Sequence, residues 1–119
     1  MGDRDLCERT FEFARRIIRL CLELQKKPGV SRTIGRQILG SGTSVGAKTE
    51  EAQGGQSRVD FVSKLAIARK EARETLYWLR LLAAEGIILE DRLSDLINES
   101  DELVAIMTTI LKKAESSMQ

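Results

Sequence analysis

Histidine is absent from the 119 residues, proline occurs once and aromatic residues make up only 4%. Without histidine, the Ser–His and Cys–His pairs of nucleophilic catalysis cannot form, and neither can the Glu-x-x-His motifs of di-iron helix bundles. No cysteine spacing typical of a metal site is present either. We therefore expect no metal, no cofactor and no enzymatic activity. The single proline and the few β-branched runs favour helices over strands.

Cysteine is also scarce. Cys7 and Cys21 lie 14 residues apart in one predicted helix, a rise of about 21 Å that no disulfide bond spans. Reduced cysteines are typical of the cytoplasm, where we expect the protein to act. No apolar run approaches the roughly 18 to 20 residues that cross a bilayer, and the polar start of the chain does not read as a signal peptide. We expect no membrane partner.

Charge is abundant but unevenly placed. Hydrophobic residues make up 42% of the chain and charged residues 31%, which is typical of a folded globular domain. We predict a single domain over 1–119. The net charge is +1, yet residues 1–48 hold ten basic against five acidic residues, and 49–119 hold nine against thirteen. A basic half and an acidic half favour anion steering or docking of one copy on another.

Apolar residues at helical spacing predict four helices with capping and stop signals at their ends. The predicted ranges are 5–26, 32–53, 57 up to Gly86, and 90–115. Ser31 and Ser57 are the predicted N-caps of the second and third helices, with Asp60 completing a capping box. Short connections make neighbouring helices antiparallel. The fold class is therefore all-α, an up-down-up-down four-helix bundle.

The second helix is unusually rich in glycine, with four glycines inside it: Gly35, Gly40, Gly42 and Gly46. Each interior glycine costs about 1 kcal/mol of helix stability relative to alanine. Either a neighbouring helix approaches closely there, or the helix bends. Two shorter helices with a break near 40–42 are the alternative, and we favour one helix.

Several helices carry apolar residues beyond one core stripe. On the first helix the core stripe is Phe13, Ile17, Leu20 and Leu24, and a second stripe lies about 100° away: Phe11, Ile18 and Leu22. A wide core stripe explains such residues, and so does self-association. Tyr77 and Trp78 leave the same two interpretations open, as a bundle flank or as an oligomer contact.

Basic residues concentrate in the first third of the chain. The candidate phosphate-contacting residues are Arg9, Arg15, Arg16, Arg19, Lys26, Lys27, Arg32 and Arg36. Such a surface binds RNA or DNA through the phosphate backbone, although a solvated charged face has the same composition. Aromatic residues do not interleave with these cations, and neither a recognition-helix motif nor a phosphate loop is present.

The stretch 40–52 reads GSGTSVGAKTEEA and is followed by Asp60-Phe61, Lys64-Leu65, Lys70-Glu71-Ala72 and Tyr77-Trp78-Leu79. This combination resembles the bacterial four-helix-bundle proteins encoded in intervening sequences of 23S ribosomal RNA genes. The resemblance covers essentially the whole chain and is densest from 41 to 82. It implies a ring-shaped homopentamer. The family is related to the accessory variability determinant of diversity-generating retroelements. Through that relation, the resemblance implies a nucleic-acid partner and a reverse transcriptase as a protein partner.

The same resemblance carries over a set of polar residues on the second and third helices. We predict an interhelix polar network that sets helix register, formed by Ser41, Ser44, Glu51, Lys64, Lys70, Glu71 and Glu74; such a network must be fully hydrogen-bonded to be tolerated. Lys48 stands where the family usually has Asn and needs a partner such as Glu51 or Glu74. The expected function is a non-catalytic, nucleic-acid-associated accessory protein; the alternative is a scaffold that docks a partner protein.

Overall fold

The computed structural model describes residues 3–118, with side chains from Asp5 onward. It contains four helices: α1 (Asp3–Leu24), α2 (Val30–Gln53), α3 (Arg58–Ala84) and α4 (Glu90–Ser116). No β-strand occurs within 3–118, so the predicted all-α class and the four helices are confirmed. The turn between α1 and α2 is displaced by two residues from the prediction, since α1 ends earlier and α2 begins earlier.

The helices pack in chain order around one axis. α1 contacts α2, α2 contacts α3, α3 contacts α4, and a smaller contact between α1 and α4 closes the bundle, while the backbones of the two diagonal pairs do not come close to each other within the described residues. The molecule measures 48 by 21 by 20 Å. Arg9, near the start of α1, binds Glu99 of α4, whereas Glu23, near the end of α1, accepts from Arg92, closer to the start of α4. These two helices are therefore antiparallel.

The core follows the predicted stripe on α1, where Phe13, Ile17, Leu20 and Leu24 are all buried. The second α1 stripe is exposed: Phe11 by 62%, Ile18 by 43% and Leu22 by 59%. On α3, helical spacing predicts a core stripe of seven residues: Phe61, Leu65, Ala68, Ala72, Leu76, Leu79 and Ala83. Four of them, Leu65, Ala68, Ala72 and Leu79, are buried. Thr75 and Leu82 are buried, whereas Leu76 and Ala83 are only half-buried.

The predicted N-cap of α3 is correct, and that of α2 is wrong. The Ser57 hydroxyl accepts a hydrogen bond from the backbone N–H of Asp60 at 3.0 Å. Gly86 has a φ of 66° and, with Ile87 bonded back to the Leu82 carbonyl at 3.0 Å, forms a Schellman end. Ser31 is not the N-cap of α2, contrary to the prediction. It lies inside α2, whose N-cap is Gly29 with a φ of 91°, a conformation that favours glycine.

The helix α2 runs unbroken through Gly40 and Gly42, so the single-helix interpretation is confirmed. The reason is close approach to α1. A Cβ added at Gly35, Gly42 or Gly46 would meet an atom of α1 at 3.2 Å or less, whereas one added at Gly40 meets nothing within 4 Å. Three of the four glycines therefore let α1 and α2 pack closely, and Gly40 does not contribute.

The two cysteines differ in accessibility, which predicts selective labelling. Cys21 is buried and its thiol donates to the carbonyl of Gly35 at 3.3 Å; burial raises its pKa to about 11. Cys7 is half-buried. Because the thiolate is the reactive form, we expect a thiol reagent at pH 8 to modify Cys7 first in the native protein and both cysteines in denaturant. Mass spectrometry after a time course checks this, and rapid native labelling of Cys21 would contradict it.

Candidate nucleic-acid interface

The candidate cations lie along α1 and the start of α2. Arg15 and Arg19 are exposed at four-residue spacing on one face of α1, and Lys26 is exposed in the turn that follows this helix. Lys27 and Arg36 are also exposed. Because the turn between α1 and α2 brings the end of one helix next to the start of the other, these cations cluster toward one end of the bundle.

Three of the predicted cations are engaged within the chain. Arg9 donates from Nε to Glu99 at 3.0 Å and lies 3.8 Å from Glu102. The hydrogen bond that Arg9 donates to the Glu99 carboxylate raises the pKa of Arg9. This guanidinium joins α1 to α4 and is poorly placed to bind a ligand.

The other two engaged cations bind close neighbours. Arg15 pairs with Glu12 at 2.9 Å one turn earlier on α1. Arg32 donates from Nη2 to the carbonyl of Gln25 at 2.9 Å and thereby closes the turn between α1 and α2. The sequence showed where these cations lie but not that they are already hydrogen-bonded.

Five cations make no hydrogen bond or ion pair with the described residues: Arg16, Arg19, Lys26, Lys27 and Arg36. We call Arg19, Lys26, Lys27 and Arg36, all exposed, the basic end. Two of these charges act on a neighbouring carboxyl group. The pKa of the Glu23 carboxyl is lowered first by its hydrogen bonds from Arg92 and further by the charges of Lys26 and Lys27. The basic end is therefore the part of the surface best placed to bind phosphate.

The predicted polar network is not formed as one unit. Its buried part is a pair: the hydroxyls of Ser41 and Thr75 lie 2.8 Å apart, and Thr75 also donates to the backbone carbonyl of Glu71 at 2.8 Å. Every buried side-chain polar atom among the described residues has a partner. Thr75 was missed from the sequence: it lies at core spacing between Ala72 and Leu79, but a polar side chain adds nothing to an apolar pattern.

The remaining network residues lie nearer the surface, in separate groups. Glu51 bonds Lys48 at 3.1 Å and lies 3.8 Å from Lys64, so Lys48 has one of its two expected partners. Glu74 accepts a hydrogen bond from the Trp78 indole at 3.2 Å. Ser44 and Lys70 make no side-chain bond to any described residue. The seven residues divide because α2 and α3 bring only their small polar side chains into the core.

Tyr77 and Trp78 point to different surroundings. Trp78 is half-buried against the core, whereas Tyr77 is 57% exposed and meets the Trp78 ring edge-on at a centroid distance of 5.3 Å. Beside Tyr77 an open groove of about 490 Å³ runs between α3 and α4. Its other lining residues are Arg80, Leu81, Ala83, Ala84, Glu90 and Ile97. Sequence reasoning found Tyr77 but not the groove, which needs residues of α4.

Metal binding and membrane crossing are the two other properties that the described part of the chain allows us to assess. Among these residues, no three side chains of the types that bind metal ions come together as a site. The helices within 3–118 also include none with the length and apolarity needed to cross a membrane.

Comparisons with known proteins agree with the fold. Residues 3–109 match the family model of the 23S rRNA-intervening sequence protein. A crystal structure of a protein of unknown function from the S23 ribosomal protein family of Bacteroides thetaiotaomicron VPI-5482 superposes with a TM-score of 0.86. It is 41% identical and covers 94% of this chain and 99% of its own. A comparison with curated proteins gave no match.

Proposed function

Because the chain belongs to the 23S rRNA-intervening sequence protein family, we propose that it is a non-catalytic accessory protein that associates with RNA or DNA through its basic end. One observation carries the proposal: four exposed cations without an ion pair in the described structure share one end of a bundle whose net charge is only +1. Lysine and arginine that neutralise phosphates release counterions, which drives binding without reading sequence.

The arrangement favours the phosphate backbone over the bases. The exposed apolar residues next to the basic end are aliphatic, as in Leu22 and Val30, and offer no aromatic platform for base stacking. We therefore expect weak sequence preference.

The proposal includes self-association. The homopentameric ring implied by the family resemblance repeats the basic end around an axis, so the fields of several weakly charged protomers add. The exposed α1 stripe supports association, since its apolar side chains remain in contact with water in the single protomer.

An electrophoretic shift assay with RNA and with duplex DNA at two salt concentrations tests nucleic-acid binding. Each duplex-DNA phosphate that the protein neutralises adds about 0.9 to the steepness of the salt dependence, so Lys26→Gln/Lys27→Gln should flatten the slope by about 2 for each bound protomer. Lys112→Gln/Lys113→Gln removes the same charge from the last turns of α4 and serves as the control. Absence of a shift at low salt, or equal weakening in the two variants, would refute the basic end as the binding surface.

A protein–protein scaffold is the second candidate function. The exposed Tyr77 beside the α3–α4 groove favours it, because aromatic side chains next to apolar depressions are frequent anchors of protein interfaces. A reverse transcriptase is the partner that the resemblance implies. Protein capture that needs Tyr77, without any nucleic-acid shift at low salt, would favour this function over the first.

A further inference from the structure

The α3–α4 groove is apolar along most of its length but holds one unpaired cation. Tyr77, Leu81 and Ala84 line it from α3, and Ile97 lines it from α4. Arg80 lies among them, is exposed, and makes no hydrogen bond or ion pair with the described residues. A guanidinium presents five N–H donors, and its hydrogen bonds to a carboxylate are about twice as strong as those between neutral groups. The groove therefore matches an apolar occupant that carries a carboxylate.

The end of the groove next to the turn between α3 and α4 is acidic. This turn is short, so the two helices are antiparallel. The turn end of the groove holds Glu90, and the far end holds Tyr77 and Ile97. Glu85, Glu90 and Asp91 are exposed, and their carboxylates make no hydrogen bond or ion pair with the described residues. Two of these acids begin α4, where they stabilise the helix, and the three together make the turn end negative.

Beyond the far end the exposed charges balance. Arg73 lies four residues before Tyr77 on α3, and Asp101 lies four residues after Ile97 on α4. Because the helices are antiparallel, these two side chains are level with each other. Both are exposed and neither lines the groove. Arg80 and the acidic turn end are therefore the two electrostatic features that an occupant meets.

A helix is the occupant whose shape fits. The groove is open along its length, so it cannot bury the roughly 70–90% of a ligand's surface that small-molecule pockets bury. The structure offers no strand edge within 3–118 to which a peptide strand could add. Polyproline segments bind grooves lined by aromatic side chains, and Tyr77 is the one aromatic residue that lines this groove. Two neighbouring helices, in contrast, form a groove that accepts the apolar face of a third helix.

We propose that the α3–α4 groove binds an amphipathic helix of another protein, which inserts an aliphatic side chain between Tyr77 and Ile97 and sets a carboxylate on Arg80. The groove extends from Tyr77 to Ala84 on α3, about 10 Å or two helical turns. The carboxylate of the partner therefore lies one turn from the aliphatic anchor, and a basic residue one turn further lies over Glu90. An acid and a base at this spacing also stabilise the partner's own helix.

This inference rests on the second candidate function, the protein–protein scaffold, and is independent of nucleic-acid binding. A displayed library of random peptides of about 12 residues, roughly three helical turns, is selected on the wild type with counter-selection on Tyr77→Gln. We expect enriched peptides to carry an aliphatic residue, an acid and a base in this order or its reverse, each three or four residues apart. Peptides that need Tyr77 but lack the acid overturn this inference alone. Absence of any Tyr77-dependent peptide overturns the inference and the scaffold function together.

A charge exchange tests the contact with Arg80, with calorimetric titration of a synthetic peptide of the selected pattern. Arg80→Glu should weaken binding at least about tenfold, and a peptide with lysine in place of its acid should bind this variant better than it binds the wild type. Arg73→Glu is the matched control, since it reverses the same charge at an exposed position of α3 outside the groove, and its loss should be less than about threefold. Equal losses in the two variants overturn the contact with Arg80. Far-UV circular dichroism verifies that each variant is folded.

A second copy of this chain is the competing occupant of the groove. Light scattering compares the wild type with Tyr77→Gln at the protein concentration used for the peptide titration. We expect the same mass for both, because the proposed occupant is a different protein. A wild-type assembly that Tyr77→Gln reduces to monomers of 13.3 kDa would show that a second copy fills the groove, and it would overturn the inference.

Discussion

Replacing Phe13 with alanine is expected to cause the largest loss of stability of any change considered, about 3–5 kcal/mol of the free energy of unfolding. Phe13 is 1% exposed and lies in the core cluster. Its removal forfeits the transfer free energy of an aromatic ring and leaves a cavity that four packed helices close only partly. Urea unfolding followed by circular dichroism measures the loss, which is a large fraction of the 5–15 kcal/mol typical of a small domain.

Phe11 is the matched control, since it carries the same side chain two residues earlier on α1 but is 62% exposed. Two residues correspond to a rotation of about 200° around a helix, which turns one ring inward and the other outward. Phe11→Ala should change the stability of the monomer by less than about 0.5 kcal/mol. Measurements at a protein concentration too low for the proposed self-association separate a change in monomer stability from a change in association. Equal losses at the two positions would show that α1 is rotated from the arrangement described.

This pair of phenylalanines also shows why α1 was predicted correctly. Its aliphatic stripe has large side chains at every core position, so the helical period alone fixes the buried face. On α3 the same period placed Leu76 in the core, and the structure buries Thr75 instead. The Thr75 hydroxyl bonds both the Glu71 carbonyl and Ser41, which offsets the cost of burial. A partner on another helix supplies that compensation, and hydropathy does not record it.

The sequence predicts the candidate nucleic-acid interface to a similar extent as it predicts the core. The position of each cation on α1 follows from its sequence number, so the clustering of Arg19 and Lys26 with the start of α2 was foreseeable. Which cations are neutralised was not. Arg9 binds Glu99, which lies 90 residues away in the chain, and that pairing depends on how α1 and α4 meet. The number of cations available to bind phosphate therefore depends on the tertiary structure and not on the local sequence.

Gly42→Ala is the second large effect expected, and its sign is opposite to what helix propensity predicts. A Cβ at Gly42 would lie 2.7 Å from the Cγ2 of Ile17 and 2.8 Å from its Cγ1. Ile17 is fully buried, so it has no free space into which to move. Overpacking of this kind costs about 1–3 kcal/mol, while the gain from replacing glycine inside a helix is at most about 1 kcal/mol. We expect net destabilisation.

Gly40→Ala, two positions earlier in the same helix, should instead stabilise the protein by about 0.5–1 kcal/mol. Gly40 is exposed, and a Cβ there meets no atom within 4 Å. The propensity gain therefore acts without a steric cost. Urea unfolding of both variants at one protein concentration measures the difference, which should be at least about 1 kcal/mol with opposite signs. Stabilisation by both substitutions would mean that α1 and α2 are farther apart than 2.7 Å contacts allow.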